Sequence, residues 1–169
     1  MKIERVESLL AGNSHIVRIF TDDGVVGVGQ SACWGYLEAT DAVVKKFAGY
    51  LVGQDPLDIE HHWQYMYRMG PFRGSVVSGA VSAIDIALWD IKGKSLSAPV
   101  WRLLGGKTRD KIRLHLLMGG VRPDAADQGT TSQGLLLNAR DAAKEGFTAI
   151  KTDPLPDGFQ SMTLPRLIH

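Results

Sequence analysis

The sequence predicts an α+β domain followed by the opening of an α/β domain, and three observations lead to this fold class. Three short β-branched segments follow one another near the start of the chain, separated by glycine-bearing turns. A long apolar helical pattern comes next, and the chain then changes to a strand–helix–strand pattern, which implies parallel pairing. We therefore expect one domain over residues 1–106 and a second over residues 107–169.

The composition is that of a globular protein with no marked charge. Of the 169 residues 44% are hydrophobic and 22% are charged, and 19 basic residues nearly balance 18 acidic ones. This balance excludes a strong electrostatic footprint for nucleic acid, and no apolar run reaches the roughly 18 residues of a membrane span. The single cysteine, Cys33, forms no internal disulfide, which favours a cytoplasmic location. We expect neither nucleic acid nor membrane as a partner.

The first three strands form the predicted sheet. Lys2–Leu9, His15–Thr21 and Val25–Val28 are rich in β-branched and apolar residues, as strands are. Because the connections at Gly12–Asn13 and Asp22–Gly24 are short, neighbouring strands must run antiparallel. The sequence therefore predicts a three-stranded antiparallel meander.

Helices are predicted to follow the meander. Glu38–Leu51 carries one apolar face and stops at Gly53. Asp55 is expected to cap the next helix, with Pro56 in its first position. The loop Gly70–Gly74 then leads into the longest helix.

The stretch from Ala80 to Gly106 is the most informative part of the chain. Apolar residues recur there at spacings of three and four, which predicts a long and almost fully buried helix. Pro99 suits the start of a second, short helix, and Gly105 and Gly106 suit its end. The apolar stripe consists of Ala80, Ala83, Ile84, Ala87, Leu88 and Ile91.

The remainder of the chain predicts one strand–helix–strand unit. Lys111–Leu117 alternates between apolar and polar residues, as a strand does. A helix around Leu136–Ala143 ends at Gly146, and Phe147–Lys151 forms the next strand.

The central stretch also resembles a long motif of the mandelate racemase/muconate lactonizing enzyme family, a branch of the enolase superfamily. In that family the motif is structural, so it identifies the fold and does not select the reaction. The residues that carry the resemblance are Ala80, Ser82, Ala83, Ile84, Asp85, Ala87, Leu88, Trp89, Asp90, Ile91, Gly93, Lys94, Pro99, Val100, Leu103, Leu104 and Gly105.

The resemblance implies an α+β capping domain followed by a modified TIM barrel. Lys111–Leu117 would be the first barrel strand and Phe147–Asp153 the second, so we expect a barrel that is truncated after its second strand. The family's Mg²⁺ ligands lie on later strands, so the resemblance implies Mg²⁺ in the full-length parent and no metal ligand in this chain. It also implies that these 169 residues alone are inactive and that the parent is a homo-oligomer.

Lys151 and Asp153 are the predicted catalytic residues. Side chains two apart on a strand point the same way, and these two stand at the carboxyl end of a parallel strand, where barrel active sites form. An ion pair at a strand end is the alternative. Family members often carry Lys-x-Lys here, whereas this chain has Asp153 in the place of the second lysine. A neighbouring carboxylate is expected to keep Lys151 protonated. Lys151 is therefore expected to stabilise developing negative charge rather than to accept a proton.

Two loops are the predicted substrate-binding elements. By resemblance, Ala11–Ser14 and Ser31–Tyr36 would fold over the barrel mouth and select the substrate. The first loop is short and leaves room for a hydroxylated chain. From these segments we expect substrate contacts from Asn13, His15, Trp34 and Tyr36, with ordinary packing as the alternative for the aromatic pair and a structural role as the alternative for His15.

Residues 61–74 suggest the substrate class. His61–Arg68 and Gly70–Gly74 resemble the acid-sugar dehydratases of the family, especially galactonate dehydratases. Arg73 is a candidate for binding a carboxylate, although it also suits a solvent-facing position. The expected parent activity is that of a carbon–oxygen lyase, which abstracts a proton next to a carboxylate and loses water from the resulting enediolate. A racemase or cycloisomerase of the same family and a non-catalytic docking module are the alternatives.

Residues 27–32 match the pattern G-x-G-x-x-G/A of dinucleotide-binding turns. Here the pattern lies on an antiparallel hairpin and opens no helix, so a dinucleotide role is not expected.

Overall fold

The computed structural model describes residues 1–31, 35–118 and 132–152. It contains two compact units, Met1–Lys107 and Thr108–His169. The first holds a three-stranded antiparallel sheet with helices, and the second holds a pair of parallel strands with a helix between them in sequence. The predicted fold class is confirmed.

The sheet of the first unit consists of β1 (Ile3–Ala11), β2 (Ser14–Thr21) and β3 (Val26–Ser31), paired in that order. Every second residue of β2 is buried, because alternate side chains of a strand point to opposite faces and one face meets the helices. β3 runs beyond its predicted end at Val28, since its residues continue to pair with β2 as far as His15.

Four helices complete the first unit: α1 (Leu37–Leu51), α2 (Ile59–Arg68), α3 (Gly74–Ser95) and α4 (Val100–Leu103). The prediction that Asp55 caps α2 with Pro56 in its first turn is wrong, because Asp58 holds the cap position. The Asp55 carboxylate instead accepts a hydrogen bond from the Leu57 amide at 2.9 Å, and this turn precedes the helix.

α3 is the central helix of the first unit, and it packs against the sheet, α1 and α2. By length and composition alone a helix of this kind could also cross a membrane, but its packed stripe is that of a core helix. The expectation of almost complete burial is wrong for one stripe, since Ser78, Ser82 and Ile86 are exposed. The core that α3 shares with the sheet and the other helices comprises Ile3, Val17, Ile19, Val44, Phe47, Leu51, Ile59, Met66, Ala80, Val81, Ala83, Ile84, Ala87, Leu88 and Ile91.

Gly27 and Gly29 allow α3 to lie directly on β3. A methyl group on Gly29 would overlap the Ala83 carbonyl, and one on Gly27 would overlap the Ala87 carbonyl. These two glycines of the dinucleotide-like pattern therefore serve close packing between helix and strand.

Two side chains of α3 also reach the outer edge of β3. The Asp90 carboxylate accepts a hydrogen bond from the Val28 amide at 2.9 Å, and the Lys94 ammonium donates to the Val26 carbonyl at 2.7 Å. Lys94 also donates to Asp90 at 2.7 Å, so the two side chains form one bridge onto the strand.

The second unit contains β4 (Leu116–Met118), α5 (Ser132–Lys144) and β5 (Ile150–Thr152). β4 and β5 are parallel, as predicted, and Leu117 pairs with Lys151.

Both strands of the second unit begin later in the sequence than predicted. The segment 111–115 forms no ladder, and the Arg113 side chain there donates to the Thr148 hydroxyl at 2.9 Å and to the Thr148 carbonyl. The Phe147 amide donates a hydrogen bond to the Ala142 carbonyl near the end of α5, so β5 begins only at Ile150. The alternation of apolar and polar residues predicts a strand over residues 111–115, but these residues pair with no strand in the described part of the chain.

Candidate functional site

A cavity of about 590 Å³ lies in the first unit, where the β1–β2 turn meets the start of α1. Both predicted substrate loops, residues 11–14 and 31–36, contribute to its wall. This proximity follows from the antiparallel meander, because the β1–β2 turn and the end of β3 lie at the same end of the sheet. The lining residues are Gly12, Asn13, Gly35, Leu37 and Glu38.

The wall of this cavity suits a polar ligand. The Asn13 amide can donate and accept hydrogen bonds, and the Glu38 carboxylate accepts them. Gly12 and Gly35 have φ of +56° and +75°, in the left-handed region that glycine tolerates, and they leave the backbone open to the cavity. Leu37 supplies the apolar part of the wall. Such a surface can bind a chain of hydroxyl groups.

His15 is fully buried and bridges two strands through its ring nitrogens. Its Nε2 lies 2.7 Å from the Ser8 hydroxyl, and its Nδ1 lies 2.9 Å from the Ser31 hydroxyl. The Ser8 hydroxyl donates to the Asp41 carboxylate at 2.6 Å, so it must accept the proton of Nε2. Nδ1 then accepts from Ser31, and a neutral ring satisfies every partner.

The burial of His15 favours this neutral state. Burial lowers the pKa of His15; the Asp41 carboxylate opposes the shift and the Lys45 ammonium adds to it. Burial by itself raises the pKa of Asp41, but hydrogen bonds from Lys45 and Ser8 hold that pKa below its ordinary value. The Lys45 ammonium donates to Asp41 at 2.7 Å. The ion pair and the neutral ring thus form one connected network.

The burial of His15 predicts a pH dependence of stability. Its folded pKa lies below the ordinary value of 6.5, so the unfolded chain binds the proton more readily. The contribution is complete above pH 6.5 and decreases as the pH falls below 6.5 towards the folded pKa. Urea unfolding between about pH 5 and pH 7.5 should show a slope that is reduced in His15→Gln. His61→Gln, at an exposed position on α2, should keep the slope, and equal slopes in His15→Gln and the unchanged chain would contradict the assignment.

The predicted substrate residues lie in different surroundings in the structure. Asn13 lines the cavity, whereas His15 is buried next to it with both ring nitrogens bonded to serines. Tyr36 lies between two lining residues, its side chain is 63% exposed, and its carbonyl accepts the amide and hydroxyl of Thr40. Trp34 lies outside the described residues.

Arg73 lies at a different cavity. Its Nε donates to the Tyr67 carbonyl at 2.7 Å, and its guanidinium stacks 4.3 Å from the centre of the Tyr67 ring. Together with Lys46 and Phe72 it lines a space of about 150 Å³ formed by α1, α2 and the loop before α3. The structure does not bring Arg73 to the cavity that Asn13 lines.

Of the predicted catalytic pair, Lys151 is described and Asp153 is not. Lys151 is exposed on β5, next to Leu117 of β4 in the parallel pair. Among the described residues no group of three or more His, Cys, Asp or Glu side chains could hold a metal ion. These residues therefore do not fit a magnesium site, and no step through the metal is derived from them.

Sequence reasoning missed several residues of the cavity and its network. Glu38 is predicted only as the start of a helix and Leu37 is assigned to no element, although both line the cavity. Ser8, Ser31 and Asp41 were not recognised as partners of His15. The alternation of β2 carried the one available signal, because it places His15 on the same face as the buried Val17 and Ile19, where a polar side chain needs partners.

Comparison with known proteins identifies the first unit. Residues 7–105 match the mandelate racemase/muconate lactonizing enzyme N-terminal domain. D-Galactonate dehydratase of Klebsiella pneumoniae (strain 342) is 49% identical over 108 residues, which are 63% of this chain and 28% of that enzyme.

Solved structures extend the likeness to nearly the whole chain. A member of the enolase superfamily from Salmonella Typhimurium has a TM-score of 0.80 at 33% identity and covers 90% of this chain and 42% of its own. An enolase from Pantoea ananatis, solved with bound D-gluconate and Mg, has a TM-score of 0.76 at 34% identity. The aligned part covers 90% of this chain and 36% of that enolase. The chain thus spans well under half the length of these relatives. It belongs to the mandelate racemase/muconate lactonizing enzyme family of the enolase superfamily, and its first unit contains the N-terminal domain of that family.

Proposed function

We propose that this chain is the N-terminal part of a Mg²⁺-dependent acid-sugar dehydratase and that the cavity lined by Asn13 and Glu38 receives the hydroxylated end of the substrate. The observation that carries the proposal is this cavity, at which the two loops expected to select the substrate meet. Its amide, carboxylate and open backbone match a polyol chain in hydrogen-bonding capacity. The D-gluconate bound to the Pantoea ananatis relative belongs to this chemical class.

The proposed division of labour follows the two units. Residues 1–106 form the capping domain, which supplies substrate contacts, and residues 107–169 begin the barrel, which supplies chemistry. In the complete enzyme the bound metal would offset negative charge on the substrate carboxylate. Its ligands would come from later barrel strands. The complete enzyme is proposed to act as a homo-oligomer in the cytoplasm.

An exchange of domains tests this function. Klebsiella pneumoniae D-galactonate dehydratase would carry the matched 108-residue segment of this chain in place of its own, and we call this protein the exchange enzyme. We expect it to dehydrate D-galactonate or a related acid sugar to a 2-keto-3-deoxy acid, because its barrel is unchanged and its cavity suits the same class of ligand. Product formation would be measured with D-galactonate, D-gluconate and further acid sugars.

The controls separate misfolding from altered function. Circular dichroism and size-exclusion chromatography would establish that the exchange enzyme folds and assembles like the Klebsiella enzyme. A folded exchange enzyme that dehydrates none of the acid sugars would contradict the proposal. In the complete enzyme of this chain, exchange of the α-proton for deuterium without loss of water would indicate a racemase instead.

A further inference from the structure

One buried polar network joins the segments that surround the cavity. It links Ser8 of β1, His15 of β2, Ser31 of β3 and Asp41 of α1. His15 pairs with Leu10 on one side and with Ser31 on the other, so it stands at the end of the sheet from which both loops leave. The network therefore ties together the ends of the two loops.

We propose that His15 is a positioning residue for substrate selection, which bridges Ser8 and Ser31 and so fixes the β1–β2 turn relative to the start of α1. The cavity-lining Asn13 is two residues before His15, and the cavity-lining Glu38 is three residues before Asp41. The network thus fixes the distance between the side chains of Asn13 and Glu38, because it holds the segments that carry them. This inference rests on the proposed function, since it assumes that the cavity receives the substrate.

The chemistry of the network explains why a histidine suits this position. An apolar residue would fill the space, but it would leave the buried Ser31 hydroxyl and the half-buried Ser8 hydroxyl without the ring that they contact. The imidazole is rigid and carries nitrogens on two edges, at 2.7 and 2.9 Å from the two hydroxyls. It therefore fixes the distance between β1 and β3 across the intervening strand, and Asp41 extends this constraint to α1.

His62 provides a matched control within the same unit. It is as buried as His15, at 1% exposure, and both of its ring nitrogens are bonded as well. Its Nδ1 lies 2.9 Å from the Tyr50 hydroxyl, and its Nε2 lies 2.7 Å from the Asp55 carbonyl. This network joins α1 to α2, and its members are far in sequence from the residues that line the cavity, whereas His15 and Asp41 are two and three residues from Asn13 and Glu38. Loss of either histidine removes a similar buried network, but only loss of His15 should disturb the cavity.

Hydrogen exchange in the 169-residue chain tests positioning without any activity. In His15→Leu the hydrogen-bonded amides that adjoin the two loops, those of residues 14–16 and of Thr40, should exchange about tenfold faster, as expected for loss of a buried hydrogen bond. Ser31→Ala removes one hydroxyl with little change of volume, so it should give a smaller increase at the same amides and serves if His15→Leu does not fold. His62→Leu should leave these amides unchanged. Equal exchange in all variants, or a uniform increase that includes His62→Leu, would overturn the proposal.

Kinetics in the exchange enzyme test substrate selection. His15→Leu should raise KM for the acid sugar about tenfold with a smaller change in kcat, because the altered groups bind the substrate and do not react with it. His62→Leu should leave KM unchanged. An unchanged KM in His15→Leu would overturn the inference. If the loops exchange faster in His15→Leu but the unaltered exchange enzyme is inactive, positioning by His15 is supported and the proposed function fails.

Discussion

Replacement of Gly29 by alanine is expected to destabilise the first unit by about 3 kcal/mol or more, at the upper end of overpacking effects. The added methyl group would overlap the carbonyl oxygen of Ala83, which is backbone and cannot rotate away. Relief requires α3 to move off β3, and this would open the core that α3 shares with β1, β2, α1 and α2. Urea unfolding followed by circular dichroism measures the change in unfolding free energy.

Gly49→Ala is the matched control for this substitution. Gly49 is exposed within α1, and an added methyl group there meets no atom within 4 Å. Alanine is the better helix former, so this variant should gain about 0.5–1 kcal/mol. If Gly29→Ala were as stable as the unchanged chain, the contact between α3 and β3 would be looser than the structure has it.

Replacement of Lys151 by methionine is expected to lower kcat of the complete enzyme by a factor of about 10²–10³. Lys151 stands exposed on β5, beside the strand end where a barrel active site forms. In the proposed role its ammonium stabilises negative charge that develops on the substrate. Methionine retains most of the side chain's length and removes the charge. Steady-state kinetics with the acid sugar that the enzyme accepts would measure the loss.

Two further variants distinguish charge stabilisation from proton abstraction. Lys151→Arg keeps a cation and should retain part of the lost activity, whereas a residue that must accept a proton would not tolerate arginine, which stays protonated. Lys144→Met removes another exposed lysine, which pairs with Asp141 on α5, and it should leave kcat unchanged. Full activity in Lys151→Met would remove Lys151 from the proposed site.

The elements that local pattern determines were predictable from the sequence. The β1–β2 turn follows from Gly12 and Asn13 between two apolar segments, and the parallel pairing of β4 with β5 follows from the helix that separates them in sequence. Asn13 of the first loop lines a cavity, and its contact with a substrate stays a prediction. In each case the responsible residues are close together in the chain.

The polar network was not predictable, because its members are distant in sequence. Ser8 and Asp41 are 33 residues apart, and His15 and Ser31 are 16 apart. No local periodicity reports such a pairing, and a lone serine on a strand has no distinguishing pattern. The length of a strand ladder is set in the same way by distant partners, so the alternation over residues 111–115 does not by itself produce a strand.

The bridge that Asp90 and Lys94 form onto β3 has a consequence for behaviour in concentrated solution. β3 is an outer strand of its sheet, and such a strand offers free amides and carbonyls to any other chain that can extend the sheet. At Val28 and Val26 those groups are already bound by side chains of α3. A second molecule would have to displace a carboxylate and an ammonium before it could add a strand there. The helix that organises the core therefore also protects this side of the protein against edge-to-edge aggregation.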